Sequence, residues 1–308
     1  MILIVRRLLQ LQKKGTPNMA ENLFQDNVPL PERVSAARPR MTKKQTAIAD
    51  HLAGSFDTAA FSTLAGLARD CGVSETSILK FASLLGYSGF SEMQRALQSV
   101  VHNKISMSKR LDMVTDLGND STAILQMIMQ KGIEGLKRTM SSIDPGHFRA
   151  AVELLAGAKR VFLFGSRSSF YLVQFFALEL GWIRDDVFAL STQTPNFDAM
   201  AELREGDVFL CISMPRYLRS TTNAISYAAK AGIPTIAITD SLSSPLIPYA
   251  AVPLIVDNEI FSYCDNTVPI LAAITALLNA VGAANYPQSQ EVLARNEKTW
   301  EHFDLYLR

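Results

Sequence analysis

Two short stretches of this chain hold the residue types best suited to chemistry. Gly165-Ser-Arg-Ser-Ser169 gathers Ser166, Arg167, Ser168 and Ser169, and Ser213-Met-Pro-Arg-Tyr-Leu-Arg-Ser-Thr-Thr222 gathers Ser213, Arg216, Tyr217, Arg219, Ser220, Thr221 and Thr222. A hydroxyl donates one hydrogen bond in an adjustable direction and a guanidinium donates two in parallel, so the set suits an oxyanion, either phosphate or carboxylate. Each stretch also precedes a segment of helical period. Each would therefore deliver a helix amino terminus, whose free N–H groups and dipole favour negative charge. One capping serine signals only the start of a helix; two such loops converging make a candidate effector site. Neither loop carries Gly-x-Gly-x-x-Gly or a Walker lysine, so no nucleotide cofactor is expected. Glu179, Asp240, Glu259 and Asp265 lie near predicted element ends, but no histidine falls in either loop. No pairing of nucleophile and base emerges, and no catalytic residue is assigned.

The elements that must hold these loops alternate strand and helix. Apolar runs at Val161 to Gly165, Asp186 to Ser191, Asp207 to Ser213, Thr235 to Asp240 and Val252 to Val256 read as strands buried on both faces. Helical segments fall between them and after the last, ending with a long one from Asp265 to Ala284. This predicts a doubly wound α/β domain around a five-stranded parallel sheet. With strand order 2-1-3-4-5, winding reverses between the first and third strands, and the two polar loops flank the switch-point crevice. Ahead of the first strand, a helix over Ser121 to Ser141 offers Ile124, Ile128, Ile133 and Leu136 for packing, and another runs from His147 to Ala156.

The amino-terminal third reads differently. Residues 20–39 hold Pro29, Pro31 and Pro39 and form a loose lead-in, after which Thr42 caps a helix that Gly54 stops. Phe61 to Asp70, the turn Cys71-Gly-Val73 and Ser74 to Leu85 make two short helices joined by about three residues, the helix-turn-helix pattern. On the second helix Ile78, Phe81, Ala82 and Leu85 share the inner face, which leaves Glu75, Thr76, Ser77 and Lys80 outward near the amino end, where a recognition helix meets base edges. Ser74 is the expected N-cap, and Ser91 the expected cap of a further helix through His102. Lys43 and Lys44 are candidate phosphate contacts. For any of these alone, an ordinary solvated helix face is the competing reading.

Charge supports the division. The 308 residues carry a net charge of +1, yet 11 Lys and Arg face five Asp and Glu between residues 33 and 110, against 15 facing 21 from residue 111 onward. A basic module joined to an acidic one is the pattern of a chain that touches nucleic acid with one module only. Cys71, Cys211 and Cys264 are far apart within apolar segments and read as small buried side chains in a reducing compartment. They and the four histidines (51, 102, 147, 302) show no metal-ligand spacing, so no metal is expected. The opening Met1-Ile-Leu-Ile-Val-Arg-Arg has its charges after the apolar run, unlike a signal peptide, and no stretch is long enough to span a bilayer; a cytoplasmic location and no membrane partner follow. Met19 is an alternative start. The expected division is a dispensable leader (1–32), a DNA-binding domain (33–102), a linker (103–120), an effector-binding domain (121–286) and a tail or helix (287–308).

These residues resemble a known family. Leu64-Ala, Gly72-Val-Ser74, Thr76, Phe81 and Leu85-Gly-Tyr-Ser-Gly-Phe90 are similar to the helix-turn-helix domain of RpiR-type transcriptional regulators. Gly165-Ser-Arg-Ser-Ser, Asp207-Val-Phe-Leu-Cys-Ile-Ser-Met-Pro-Arg-Tyr217, Ala228-Ala-Lys-Ala-Gly232 and Ile238-Thr-Asp-Ser-Leu-Ser-Ser-Pro245 are similar to their sugar isomerase (SIS) domain. The resemblance implies an all-α amino-terminal domain and an α/β SIS domain that binds a phosphosugar without catalysis. It also implies a homodimer or homotetramer on palindromic double-stranded operator DNA. The chain departs from the family at Lys80, where an arginine is usual, and at Leu218, where a hydroxyl is common; a small carboxylate held by Arg167, Arg216 or Arg219 is the competing effector. The alternative function is an aldose-ketose phosphate isomerase with an accessory helical domain.

Overall fold

Thr42 and Gln45 exchange side-chain bonds with each other's backbone N–H, a reciprocal cap that starts helix α2 (Lys43–Gly54) as expected. The computed structural model describes residues 30–55, 59–101, 107–115 and 120–307, and the chain divides into two units, 1–105 and 106–308. Residues 1–29, which include most of the expected leader and Met19, lie outside the described residues, as do 102–106 and 116–119 of the expected linker region.

In the first unit α2 is preceded by α1 (Leu30–Ala37) and followed by α3 (Leu64–Asp70), α4 (Glu75–Leu84) and α5 (Phe90–Val101). Leu30, Ile48, Leu52, Leu67, Ile78, Phe81, Met93 and Leu97 form its core. From Leu30 onward the lead-in, expected to be loose, is therefore ordered into helix. Pro31 sits in the first turn of α1, where a missing N–H costs nothing, and Arg33 is buried with Nη1 donating to the Leu85 carbonyl (3.2 Å) and its guanidinium over the Tyr87 ring (4.7 Å). Gly72 (φ +64°) and Gly86 (φ +84°) end α3 and α4 in the left-handed region that L side chains avoid. Ser91, expected to cap the next helix, lies inside it, since α5 starts at Phe90; its entry is tied by Ser88, whose N–H and hydroxyl donate to Glu92 (2.6 and 2.7 Å) and hold that carboxyl below its usual range.

The second unit begins with α6 (Met107–Thr115), inside the expected linker, then α7 (Ser121–Ser142) and α8 (Pro145–Gly157). The sheet follows: β1 (Val161–Phe164), β2 (Val187–Leu190), β3 (Val208–Ile212), β4 (Thr235–Thr239) and β5 (Val252–Ile255), all parallel, in the order β2-β1-β3-β4-β5. Between them run α9 (Ser168–Gly181), α10 (Arg219–Lys230) and 3-10 turns at Pro195–Glu202 and Ile247–Tyr249; α11 (Val268–Ala284) and α12 (Tyr286–His302) close the chain. Alternation sends Val161 and Leu163 to one face, with Val173, Phe176, Ile274 and Leu277, and Phe162 and Phe164 to the other, with Ile225, Ala228 and Leu246. Among the described residues no single helix is long and apolar enough to cross a membrane; the most apolar, α11, is largely buried in this core. Cys211 is buried in β3, but Cys264, expected to be buried, is exposed.

Of the apolar residues on α7 expected to pack, Ile124, Ile128 and Leu136 are half-buried and Ile133 is 47% exposed, while its fully buried residues are Gly132, Gly135 and Thr139. A Cβ on Gly135 would lie 2.8 Å from Pro269 Cγ, so α7 approaches the start of α11 closer than any apolar side chain permits. Ionic ties do the fastening: Arg138 forks Asp257 (2.7 and 3.0 Å) and reaches Glu259 (2.6 Å), which also takes Lys131 (2.9 Å).

The register of β1 and β3 rests on a second fork, Arg160 Nε and Nη2 to the two oxygens of Asp207 (3.0 and 2.7 Å), with Asp207 1% exposed. Burial pushes the Asp207 carboxyl up, but the Arg160 fork and the Arg204 N–H outweigh it and hold it below its ordinary value. Replacing Asp207 by Ala takes the fork from Arg160, which keeps its contacts to Glu202, and leaves the Arg204 N–H without its acceptor; it is expected to lower the unfolding free energy by about 3 kcal/mol in urea titration at pH 7. A depressed carboxylate stabilises above its unfolded pKa, so the loss is expected in full above about pH 4 and to shrink below it; a deficit independent of pH refutes the assignment.

Candidate functional site

Because β1 and β3 are neighbours, with Phe164 beside Cys211, the loops that leave them start side by side at the carboxyl edge of the sheet. Their helices then cover opposite faces, α9 within one core cluster and α10 within the other. The loops meet directly: Ser166 Oγ and Ser220 Oγ are 3.5 Å apart. Gly165 makes this possible, since a Cβ there would lie 2.8 Å from the Ser169 carbonyl oxygen and 2.9 Å from Val173 Cγ2.

Around that contact Ser166, Ser213 and Thr221 are buried, Ser169, Tyr217 and Ser220 are half-buried, and Arg167, Ser168, Arg216 and Arg219 are exposed. Neither helix has a side-chain cap: Arg167 precedes α9 and Leu218 precedes α10, and neither bonds the first turn through its side chain. In contrast Thr42, Thr63, Asp120 and Asp144 cap α2, α3, α7 and α8. First-turn N–H groups without a capping side chain, ringed by hydroxyls and arginines, form a place where an oxyanion is stabilised.

Both loops are strained. Arg167 adopts φ 54°, ψ −126° and Arg216 φ 68°, a region an L residue enters at a cost of about 1–3 kcal/mol. Glycine would enter freely, so an arginine in each place suggests that the side chain matters more than the backbone energy.

Tyr217 turns its hydroxyl to Asp240, donating at 2.5 Å. Burial raises both groups, and for Tyr217 the Asp240 charge adds to the rise while the shared bond restrains Asp240. Thr239 joins through Ser244 (2.8 Å), so Tyr217 acts here as a strut that pins the second loop to the end of β4. The other three carboxylates noted from sequence are also engaged or remote. Glu259 pairs with Lys131 and Arg138, Asp265 with Arg110 (3.1 Å), and Glu179 lies near the far end of α9.

In the first unit, α3, the Gly72 turn and α4 form the expected helix-turn-helix. Ile78, Phe81, Ala82 and Leu85 are buried, and Glu75, Thr76 and Lys80 are exposed with Ser77 half-buried. Lys43 and Lys44 are exposed on the first turn of α2. Ser74 stands at the N-cap position, but its hydroxyl meets Ser77 Oγ (2.9 Å) and makes no cap bond, contrary to the role expected of it.

Residues 29–104 match the helix-turn-helix domain of the rpiR family and residues 154–280 match the SIS domain. The chain belongs to the RpiR-type family of helix-turn-helix and SIS proteins. An uncharacterised HTH-type transcriptional regulator of Haemophilus influenzae is 27% identical over 74% of this chain and 79% of its own length. The sugar isomerase domain of an RpiR transcription factor from Sphaerobacter thermophilus, a crystal structure, is 26% identical, with a TM-score of 0.53 over 56% of this chain and 97% of that one. Vibrio vulnificus NanR, solved in complex with ManNAc-6P, shares the fold at 19% identity and a TM-score of 0.55, over 91% of this chain and all of its own.

For this RpiR-type chain the two polar loops and the helix-turn-helix were legible in the sequence, but the burial of Arg33 and Arg110 was not. A charged residue in a proline-bearing or charge-rich segment defaults to a solvated reading, and only packing reveals it as buried. Substituting Arg167 by Gly is expected to raise the unfolding free energy by about 1 kcal/mol, strain relief exceeding the added freedom of the unfolded chain. A denaturant midpoint that falls instead would mean that Arg167 holds the loop together.

Proposed function

We propose that this RpiR-type protein binds operator DNA through α4 and responds to a small anionic effector, a sugar phosphate, held between the loops after β1 and β3. The observation that carries the reading is the 3.5 Å approach of Ser166 and Ser220, which unites two uncapped helix starts at one sheet edge. Ser166, Ser168, Ser169, Ser213, Ser220 and Thr221 supply hydroxyls, and Arg167, Arg216 and Arg219 supply charge. The sugar phosphate in the NanR structure, a protein of the same fold, favours that effector class over a simple carboxylate.

Regulation in place of catalysis is supported by the carboxylates. Of the four carboxylates noted near element ends, Asp240, Glu259 and Asp265 each hold a partner and Glu179 lies near the far end of α9, so none of the four stands ready as the base that moves a proton between sugar carbons. A homodimer or homotetramer is supported by α7, where Leu125, Met129, Ile133 and Met140 are 55%, 61%, 47% and 79% exposed at helical spacing along one stripe. Two copies would then present two α4 helices to the half-sites of a palindrome.

On the DNA side, Lys80→Ala or Thr76→Ala is expected to weaken specific operator binding by about 1–3 kcal/mol in fluorescence anisotropy at fixed salt, while Lys43→Ala lowers affinity for all sequences and flattens the salt dependence. Operator affinity unchanged in both α4 variants would remove α4 from the interface. On the effector side, sugar phosphates should raise the thermal midpoint where the parent neutral sugars do not, by the equivalent of about 2.7 kcal/mol at a hundredfold excess over Kd. Turnover of any sugar phosphate by the purified protein would instead favour the isomerase reading.

A further inference from the structure

Arg110 on α6 is 2% exposed and ranks among the largest fully buried side chains. Its Nη1 donates to Asp265 Oδ1 at 3.1 Å. Its Nε and Nη2 are also buried, and neither meets an acceptor among the described residues. These two nitrogens form the side edge of the guanidinium, whose parallel N–H bonds match the two oxygens of a carboxylate or phosphate. The same molecule uses that edge twice elsewhere, Arg138 on Asp257 and Arg160 on Asp207, each time on both oxygens of one carboxylate. Asp265 offers Arg110 only an end-on contact.

Among the described residues Asp265 is the one carboxylate bonded to Arg110, and Arg216, from the loop after β3, lies close enough for its charge to act on the same guanidinium. Burial lowers the Arg110 pKa, Asp265 offsets part of that, and Arg216 adds to the lowering, the balance a buried cation shows when an anion is lacking. In the segment between β5 and α11 that carries Asp265, Asp257 and Glu259 turn to α7. Asn258, between them, is 5% exposed with both amide atoms buried and without a partner among the described residues. A buried donor without an acceptor is a standing cost, larger when the donor is charged, so a ligand that supplies two oxyanion acceptors to Arg110 removes it.

We propose that Arg110 binds the effector, its Nε and Nη2 taking two oxygens of the effector's anionic group while Nη1 stays on Asp265. This rests on the effector site read above and deepens it. It adds a residue from outside the two loops and makes α6, the first described helix after residues 102–106, part of the binding site. The ligand class is then a small molecule bearing a phosphate or carboxylate, and binding fastens α6 to the segment that carries Asp265.

The test uses the full-length protein with inorganic phosphate, glucose 6-phosphate and gluconate as probes, glucose as the neutral control, at constant ionic strength. Thermal midpoint and calorimetric affinity are read for wild type, Arg110→Met, Arg110→Lys and Ser166→Ala. At least one anionic probe is expected to raise the wild-type midpoint. Arg110→Met should keep or raise the probe-free midpoint yet lose about tenfold or more in affinity, and Arg110→Lys, which cannot fork, should recover only part. A phosphate-bearing probe that outperforms gluconate identifies the anionic group as phosphate, and the reverse as carboxylate. If Arg110→Met lowers the probe-free midpoint and binds as wild type does, Arg110 is structural and the proposal is overturned, while a loss in Ser166→Ala would keep the two-loop site. If Arg110→Met abolishes binding and Ser166→Ala leaves it intact, Arg110 stands and the two-loop site falls. No response of wild type to any of the anionic probes overturns the proposal.

Discussion

Everything at the candidate site follows from the pairing of β1 with β3. Parallel strands must be joined by right-handed crossovers, and when two neighbouring strands send their crossovers to opposite faces, a gap opens between the departing loops. Here α9 leaves β1 toward one core cluster and α10 leaves β3 toward the other. The Arg160–Asp207 fork sets that pairing at the entry side of the strands, and Gly165 admits the close turn at the exit. Ser166 and Ser220, 54 residues apart in the chain, thereby come to 3.5 Å.

The site is held by polar struts more than by apolar packing. Tyr217 on Asp240 braces the second loop, the Arg138 and Lys131 ties brace the segment after β5, and that segment carries Asp265 to Arg110. Such networks are directional, so they fix loop geometry in a way that apolar contact does not. Strain at Arg167 and Arg216 fits the same logic: the backbone stays in an unfavourable region because its surroundings leave it nowhere else to go.

The first unit uses a different economy of means. Helix α4 is positioned by a small apolar core, by left-handed glycines at the ends of α3 and α4, and by Arg33 reaching from α1 to the end of α4. The outward residues Glu75, Thr76 and Lys80 remain exposed because the inward ones fill that core. A solvent-facing polar side chain on a well-anchored helix is what base readout needs, since its rotamers are not consumed by the fold.

How much of this was legible beforehand depends on whether a feature is local. Strand runs, helix periods, the Gly72 and Gly86 stops and the Thr42 cap are written in neighbouring residues, and the sequence by itself determined the five strands, the helix-turn-helix and the identity of the two polar loops. Features that depend on residues far apart were not legible. The buried face of α7 is Gly132, Gly135 and Thr139 because Pro269 lies against it, and α1 holds as a helix because Pro31 falls in its first turn and Leu30 packs on core partners from later in the chain. Arg110 is buried because Asp265 waits 155 residues further on. Tertiary structure alone decided these, since a charge or a glycine carries no local mark of the neighbour it will meet, and the energy of that meeting exists only once the chain has folded.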